Sequence, residues 1–151
     1  MIVAFCGHAN YKENLQHKAL IFEILQRNAV STHIDFYLGE YGNFDFFAYN
    51  CAKEFKNLHP EASLIFVTPY IPTDSHKNII SKKDRFDSIL YPPLEQVPQR
   101  YAISHRNRWI VEQADLLISY ITHEYGGAYA TYRYAKRKNV KIYNLADEIK
   151  K

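Results

Sequence analysis

The sequence predicts an α/β fold in which a mostly parallel sheet of about five strands lies between two layers of helices. Short continuous apolar runs alternate along the chain with segments whose apolar residues follow helical spacing. The chain has 151 residues, enough for one substantial core and too few for two ordinary domains. We therefore expect residues 1–151 to form a single domain whose parallel strands are joined by helical crossovers.

Five short apolar runs are predicted to be strands, and they comprise residues 2–6, 34–38, 63–67, 116–120 and 141–145. Four segments between them have the periodicity of amphipathic helices, and they comprise residues 13–28, 44–55, 101–113 and 127–138. Asn43 or Asp45 is placed to cap the second helix. Residues 70–99 contain four of the six prolines, so we expect an irregular excursion with at most short elements. Its length indicates a functional loop or lid.

Composition and residue patterns disfavour nucleic-acid-binding, metal-binding, secreted and membrane-inserted classes of protein. The formal net charge is only +3, so the basic stretch over residues 133–141 is better explained as a solvated helix face than as a nucleic-acid patch. Cys6 and Cys51 lie in apolar segments and are expected to be reduced thiols, which predicts a cytoplasmic setting. No cysteine–histidine spacing typical of a metal site is present. No apolar run approaches 18 residues and no signal-peptide pattern begins the chain, so we expect neither membrane insertion nor secretion.

All five glycines of the chain follow predicted strands. Gly7 follows the first, Gly39 and Gly42 follow the second, and Gly126 and Gly127 follow the fourth. In an open parallel sheet, ligands bind beyond the carboxyl ends of the strands. A glycine turn lets backbone amides approach an anion, and a helix that begins there adds its positive dipole end. The need for a tight turn is enough to explain any one of these glycines. Because all five follow predicted strands, a phosphate site is the favoured explanation for the group. The standard dinucleotide fingerprint and the P-loop are both absent.

A second concentrated feature is the basic segment Ser104-His105-Arg106-Asn107-Arg108 near the start of the helix predicted over residues 101–113. The dipole of a helix favours acidic residues at its start, so basic residues there depart from the usual preference. Departures of this kind are expected at functional sites. Arginine binds phosphate or carboxylate through two parallel hydrogen bonds. The alternative is a surface ion-pair cluster with Glu112 or Asp115, and the sequence leaves both interpretations open.

Four further residues carry weaker signals. His8 follows the first strand, where it either faces a ligand or bonds to backbone. His123 and Glu124 form either an acid–base pair in a cleft or, as we favour, a solvated loop pair. Asp45, three residues after Gly42, is either a helix cap or an acceptor for a ribose hydroxyl, and we favour the cap slightly.

These segments, in this order, resemble the SLOG superfamily and within it the small, single-domain, YpsA-like proteins. The resemblance covers nearly the whole chain and is carried by Gly7-His8, residues 38–48, residues 105–115, and Gly126-Gly127-Ala128 with residues 134–137. It implies a modified Rossmann-like fold and the binding of a nucleotide or a nucleotide derivative. More distant relatives are the cytokinin-activating phosphoribohydrolases and the DNA-processing protein DprA.

The resemblance to the phosphoribohydrolases is incomplete at the residues that matter for catalysis. Their Pro-Gly-Gly-x-Gly-Thr-x-x-Glu motif is matched at its paired glycines by Gly126 and Gly127, and Arg106 or Arg108 falls where an arginine of the preceding helix would be. Tyr129 replaces the third glycine, and Tyr132-Arg133 occupies the region of the glutamate. The phosphate cradle is therefore expected, while hydrolysis by that mechanism is not.

Three functions follow in order of preference. The first is a binding protein for a small phosphorylated, nucleotide-like ligand; no other cofactor and no metal is predicted. The second is a nucleotide N-glycosidic hydrolase with Arg108 and a relocated carboxylate, Glu40 or Glu124. The third is a DprA-like nucleic-acid binder, disfavoured by the modest charge and the lack of interleaved basic and aromatic residues. The expected ligand-binding residues are Gly7, His8, Gly39, Glu40, Gly42, Asn43, Asp45, Arg106, Arg108, Gly126, Gly127 and Ala128. The 13 tyrosines add an expectation of self-association.

Overall fold

The computed structural model describes residues 1–28, 33–71 and 84–148, and it confirms the α/β fold. Strands and helices alternate along these residues. The strands are β1 (Ile2–Gly7), β2 (Asp35–Leu38), β3 (Ser63–Val67), β4 (Ser88–Leu90), β5 (Leu116–Tyr120) and β6 (Lys141–Asn144). The helices are α1 (Leu15–Asn28), α2 (Asn43–Leu58), α3 (Ala102–Gln113), α4 (Gly127–Arg137) and the short α5 (Leu145–Glu148), with a single 3₁₀ turn at Gln99–Tyr101 before α3.

The six strands form one parallel sheet in the order β4-β3-β2-β1-β5-β6. From β1 the chain moves outward strand by strand to β4, and it then returns to the other side of β1 to form β5. The strand order therefore reverses between β1 and β5. In doubly wound sheets this is the place where neighbouring connections diverge and leave a crevice.

The sixth strand, β4, exceeds the expected number of about five. It lies within the proline-rich segment 70–99, which was predicted to hold at most short elements, and it is only three residues long at the sheet edge. The Thr68 amide donates to the carbonyl of Leu90, and Asp87 accepts from the amide of Leu64. Pairing with β3 therefore defines this strand, and no local pattern reveals it. The lid predicted over residues 70–99 lies partly outside the described residues.

Alternation along the strands creates two apolar cores, one on each face of the sheet. On one face, residues such as Val3, Phe36 and Ile118 pack against α1 and α2. On the other face, Ala4, Cys6 and Leu117 pack against Ile110 and Val111 of α3 and Ala135 of α4. The result is the expected three-layer sandwich of helices, sheet and helices.

The helix starts differ slightly from their predicted positions. Helix α1 begins at Leu15, because the side chain of Asn14 accepts a hydrogen bond from the Gln16 amide and so caps the helix. Helix α2 begins at Asn43, and its N-cap is Gly42, without a side-chain cap bond. The expectation that Asn43 or Asp45 would cap it is therefore corrected. Among the described residues, no helix is both long and apolar enough to cross a membrane.

Candidate functional site

A cavity of about 450 Å³ opens at the carboxyl ends of β1, β2 and β5, on the face covered by α3 and α4. It therefore lies at the reversal of strand order, where the fold predicts a ligand site. Its polar and glycine lining comes from β1 and β2, from the turns after β1, β2 and β5, and from helices α2, α3 and α4. It comprises Cys6, Gly7, His8, Asn10, Tyr37, Gly39, Tyr41, Asp45, Arg106, Asn107, His123, Tyr125, Gly126, Gly127 and Thr131.

The turn from β5 into α4 presents open backbone amides to this cavity. Gly126 is the N-cap, with φ of 92°, and no side chain caps the helix. The first amide with a helical acceptor is that of Ala130, which donates to the carbonyl of Gly126 at 3.1 Å. A Cβ placed on Gly126 or Gly127 would meet no atom within 4 Å. The first amides of α4 and the positive end of its dipole are therefore accessible to an anion.

Arg106, from within α3, lines the same cavity. Its side chain is only 3% exposed, and its Nη1 atom donates to the carbonyl of Val67 at 2.8 Å. Its Nε atom donates to Oδ1 of Asn107, and the guanidinium lies 5.1 Å from the ring centre of Tyr41. Burial lowers the pKa of Arg106 while nearby Asp45 raises it. Because a guanidinium has five N–H donors and stays charged in proteins, donors remain for a ligand in the cavity.

The turn from β2 into α2 differs from the open turn before α4. The Tyr41 amide donates to Oδ2 of Asp45 at 2.8 Å, and the Asn43 amide donates to the carbonyl of Ala9. Gly42, with φ of 115°, packs against Ala9 so closely that a Cβ there would lie 2.6 Å from the Ala9 Cα. The protein itself uses these amides, so we do not assign phosphate to them.

Asp45 brings a carboxylate to the cavity rather than a helix cap. Burial raises its pKa, while the hydrogen bond from Tyr41 and the charge of Arg106 act in the opposite direction. Oδ2 is held by the Tyr41 amide, and Oδ1 remains for a ligand hydroxyl. Asp45 therefore stabilises the turn rather than capping α2, and of the two functions considered for it only the acceptor for a ligand hydroxyl is compatible with its position in the cavity lining.

Three parallel rings line the side of the cavity next to the α4 turn, and we call them the ring column: His8, His123 and Tyr125. The ring centres of His8 and His123 are 3.5 Å apart, and those of His123 and Tyr125 are 3.8 Å apart, with interplanar angles of 13° and 19°. Nε2 of His8 accepts a hydrogen bond from the Thr122 amide at 2.9 Å. Burial, followed by the proximity of His123, lowers the pKa of His8.

The structure brings eight of the predicted residues to one cavity and leaves the others outside its lining. Those in the lining are Gly7, His8, Gly39, Asp45, Arg106, Gly126, Gly127 and Ala128. Those outside are Glu40, Gly42, Asn43, Arg108 and Glu124. Glu40 pairs with Arg85 at 2.5 Å, Arg108 is exposed with its guanidinium 5.5 Å from the ring centre of Tyr134, and Glu124 is exposed in the loop before α4.

Several lining residues were not singled out from the sequence. Tyr41 and Tyr125 belong to the glycine-rich turns, and Asn107 belongs to the arginine segment, so each lay in a segment already marked. Helical spacing could have shown which of Arg106 and Arg108 faces the interior. Arg106 is four residues from both Ala102 and Ile110, which are buried. Helical spacing therefore places Arg106 on the buried face of α3 and Arg108 on the exposed one.

Helix α4 carries interleaved basic and aromatic residues, which corrects the expectation that the chain lacks them. Arg133 lies 5.9 Å from the ring centre of Tyr129, and Lys136 lies 4.7 Å from that of Tyr132. Tyr134 is approached by Arg137 and Lys138 in the same way. Tyr132 and Tyr134 are also partly buried against the apolar core beneath α4, so we do not assign base stacking to these rings.

A comparison with models of protein families and with curated protein sequences finds no match to this chain. In the described parts of the chain, no group of three or more His, Cys, Asp and Glu side chains is arranged to bind a metal ion.

Proposed function

We propose that this protein binds a phosphorylated, nucleotide-like small molecule in the cavity between β1 and β5. The observation that carries the proposal is the position of Arg106, a buried arginine in the same cavity as the open N-terminus of α4. A buried guanidinium and a set of free helix amides are two independent anion-binding devices. Their convergence favours a phosphate, which has enough oxygens to accept from both.

The rest of the cavity suits the remainder of a nucleotide. Its volume, about 450 Å³, is within the range typical of small-molecule sites. Asp45 offers a carboxylate oxygen, which is the kind of acceptor that ribose hydroxyls find in dinucleotide-binding folds. Phosphate at α4 and hydroxyls at Asp45 would give the ligand one orientation.

The resemblance to the SLOG superfamily supports the same proposal. The paired glycines at Gly126 and Gly127 and the arginine helix are the more specific of the segments that carry the resemblance. Arg106, rather than Arg108, is the arginine that lines the cavity. We therefore propose a SLOG-type domain in a cytoplasmic setting, where the buried free thiols Cys6 and Cys51 stay reduced.

Binding is favoured over hydrolysis because the carboxylates expected for catalysis are elsewhere. Neither Glu40 nor Glu124 lines the cavity, and Glu40 is paired with Arg85. If a nucleotide were hydrolysed in this cavity, Asp45 would be the carboxylate within it. Incubation with nucleoside monophosphates, read for free base, separates binding from turnover.

A calorimetric titration with a panel of nucleoside monophosphates tests the proposal, and the chain offers a matched pair of variants. We expect Arg106→Lys to weaken binding about tenfold or more, because lysine lacks the planar fork of donors. Arg108→Lys, two residues further along the same helix but outside the cavity, should leave the affinity unchanged. An absence of binding by any phosphorylated ligand, or equal effects of the two variants, would contradict the proposal.

A further inference from the structure

The ring column has one end inside the protein and one end at the mouth of the cavity. The inner ring, His8, is only 5% exposed, and the edge of Tyr120 meets it at a centroid distance of 6.4 Å. The outer ring, Tyr125, is 70% exposed. His123 covers one face of the Tyr125 ring, and among the described residues no further ring is stacked on the other face.

The rings of the column are held in place by contacts within the protein, so the outer face of Tyr125 is already ordered before a ligand binds. The bond from the Thr122 amide holds His8 in position, and His8 in turn supports His123 at 3.5 Å. A side chain that is already ordered loses less conformational entropy when it binds a ligand. Tyr125 therefore differs from an exposed tyrosine such as Tyr101, which is approached by the guanidinium of Arg100, has no ring stacked on it among the described residues and lies outside the cavity lining.

Tyr125 lies close along the chain to the first amides of α4, where the phosphate is proposed to bind. Tyr125 precedes Gly127 by two residues, a separation of at most about 7 Å along the chain. A ligand with its phosphate on the first amides of α4 thus has Tyr125 within the length of one nucleotide. Tyr41, another ring of the cavity lining, already interacts with the guanidinium of Arg106.

We propose that Tyr125 is the base-binding residue of the site, and that a nucleobase stacks on its outer face as the fourth ring of the column. This inference rests on the proposed function, since it assumes that phosphate is bound at α4 and Arg106. It adds that the ligand carries a flat aromatic ring and that this ring contributes to affinity. Stacking is tolerant of base identity because every base has a π-face, so purine and pyrimidine nucleotides should both bind.

Calorimetric titrations with AMP, UMP and ribose 5-phosphate test the inference in the whole protein. In the unaltered protein we expect AMP to bind about tenfold more tightly than ribose 5-phosphate, which is the size of one base–aromatic stacking contact. Tyr125→Ala should remove that advantage and leave the affinity for ribose 5-phosphate unchanged. Tyr125→Phe should retain it, and Tyr101→Ala, an exposed tyrosine outside the cavity, should behave as the unaltered protein.

The outcomes distinguish this inference from the proposal beneath it. Equal affinities for ribose 5-phosphate and both nucleotides in the unaltered protein would overturn base stacking and leave the phosphate site intact. An equal loss of all three ligands in Tyr125→Ala would also overturn it, because the residue would then act on the phosphate site. If none of the three bound to the unaltered protein, both proposals would fail.

Discussion

The side chain of His8 and the backbone of Thr122 join the ends of β1 and β5 through a hydrogen bond of 2.9 Å. Nε2 of His8 is the acceptor, so a neutral His8 carries its proton on Nδ1. A proton added at Nε2 would face the Thr122 amide, and that bond would be lost. The contact therefore favours neutral His8, in agreement with the lowered pKa that burial and His123 give it.

We predict that the protein loses stability as the pH falls below about 6.5, the ordinary pKa of histidine. Because the pKa of His8 is lowered in the folded state, the unfolded chain binds more protons in the interval below 6.5. The free energy of unfolding then decreases with falling pH until the folded pKa is reached. Buried His17, whose pKa is lowered by burial, contributes with the same sign. Urea unfolding at pH 7.5 and pH 5.5 measures the effect.

The variant His8→Gln provides the control for this pH dependence. The amide oxygen of glutamine can accept from Thr122, but it does not titrate. The difference in unfolding free energy between the two pH values should therefore be smaller in this variant. An undiminished difference would assign the pH dependence to other groups.

A pair of glycine substitutions tests the backbone conformation of the turn before α4. Gly126→Ala should destabilise the protein by about 1–2 kcal/mol, because φ of 92° is unfavourable for a residue with a Cβ. Gly127→Ala has no positive φ and no close neighbour, so it should be neutral or stabilise by up to about 1 kcal/mol. Thermal or urea unfolding gives both values, and equal effects of the two changes would argue against the described turn.

Both cysteines should be unreactive in the folded protein. Burial is the main cause that raises the pKa of Cys51 to about 12 and that of Cys6 still further, so neither thiol ionises appreciably at pH 8. We expect a thiol reagent such as DTNB to modify neither residue in native buffer and both in guanidinium chloride. Leu15→Cys, at a position that is 82% exposed, supplies a reactive control. Rapid native modification of a second thiol in that variant would contradict the prediction.

The sequence was most informative for interior strands in which no residue is exposed. Strands β3 and β5 have the predicted bounds, since each is a continuous apolar run closed by turn residues or charge. Strand β4 could not be predicted in this way, because three edge residues are defined by pairing with β3. The reversal of strand order between β1 and β5 likewise depends on contacts between distant residues.

The candidate site was predicted as a set of turns but not as an arrangement of side chains. The glycines at strand exits do converge, since four of the five line the cavity. The sequence did not distinguish the open turn at Gly126 from the turn at Gly42, whose neighbouring amides are used internally. That difference depends on Ala9 and Asp45, which are brought there by the fold. The ring column depends in the same way on the adjacency of β1 and β5.

The pairing of β1 with β5 also has a consequence for the order of folding. Contacts between these strands join residues more than a hundred positions apart, as with Val3 and Leu116. The hydrogen bond from the Ile2 amide to Asp115, just before β5, likewise spans 113 residues. Closing so long a segment is entropically costly, and contacts of this kind slow folding. Strands β1, β2 and β3 can pair as they leave the ribosome, whereas the crevice needs β5 and the start of α4. We therefore expect binding competence to appear late, after most of the sheet has been made.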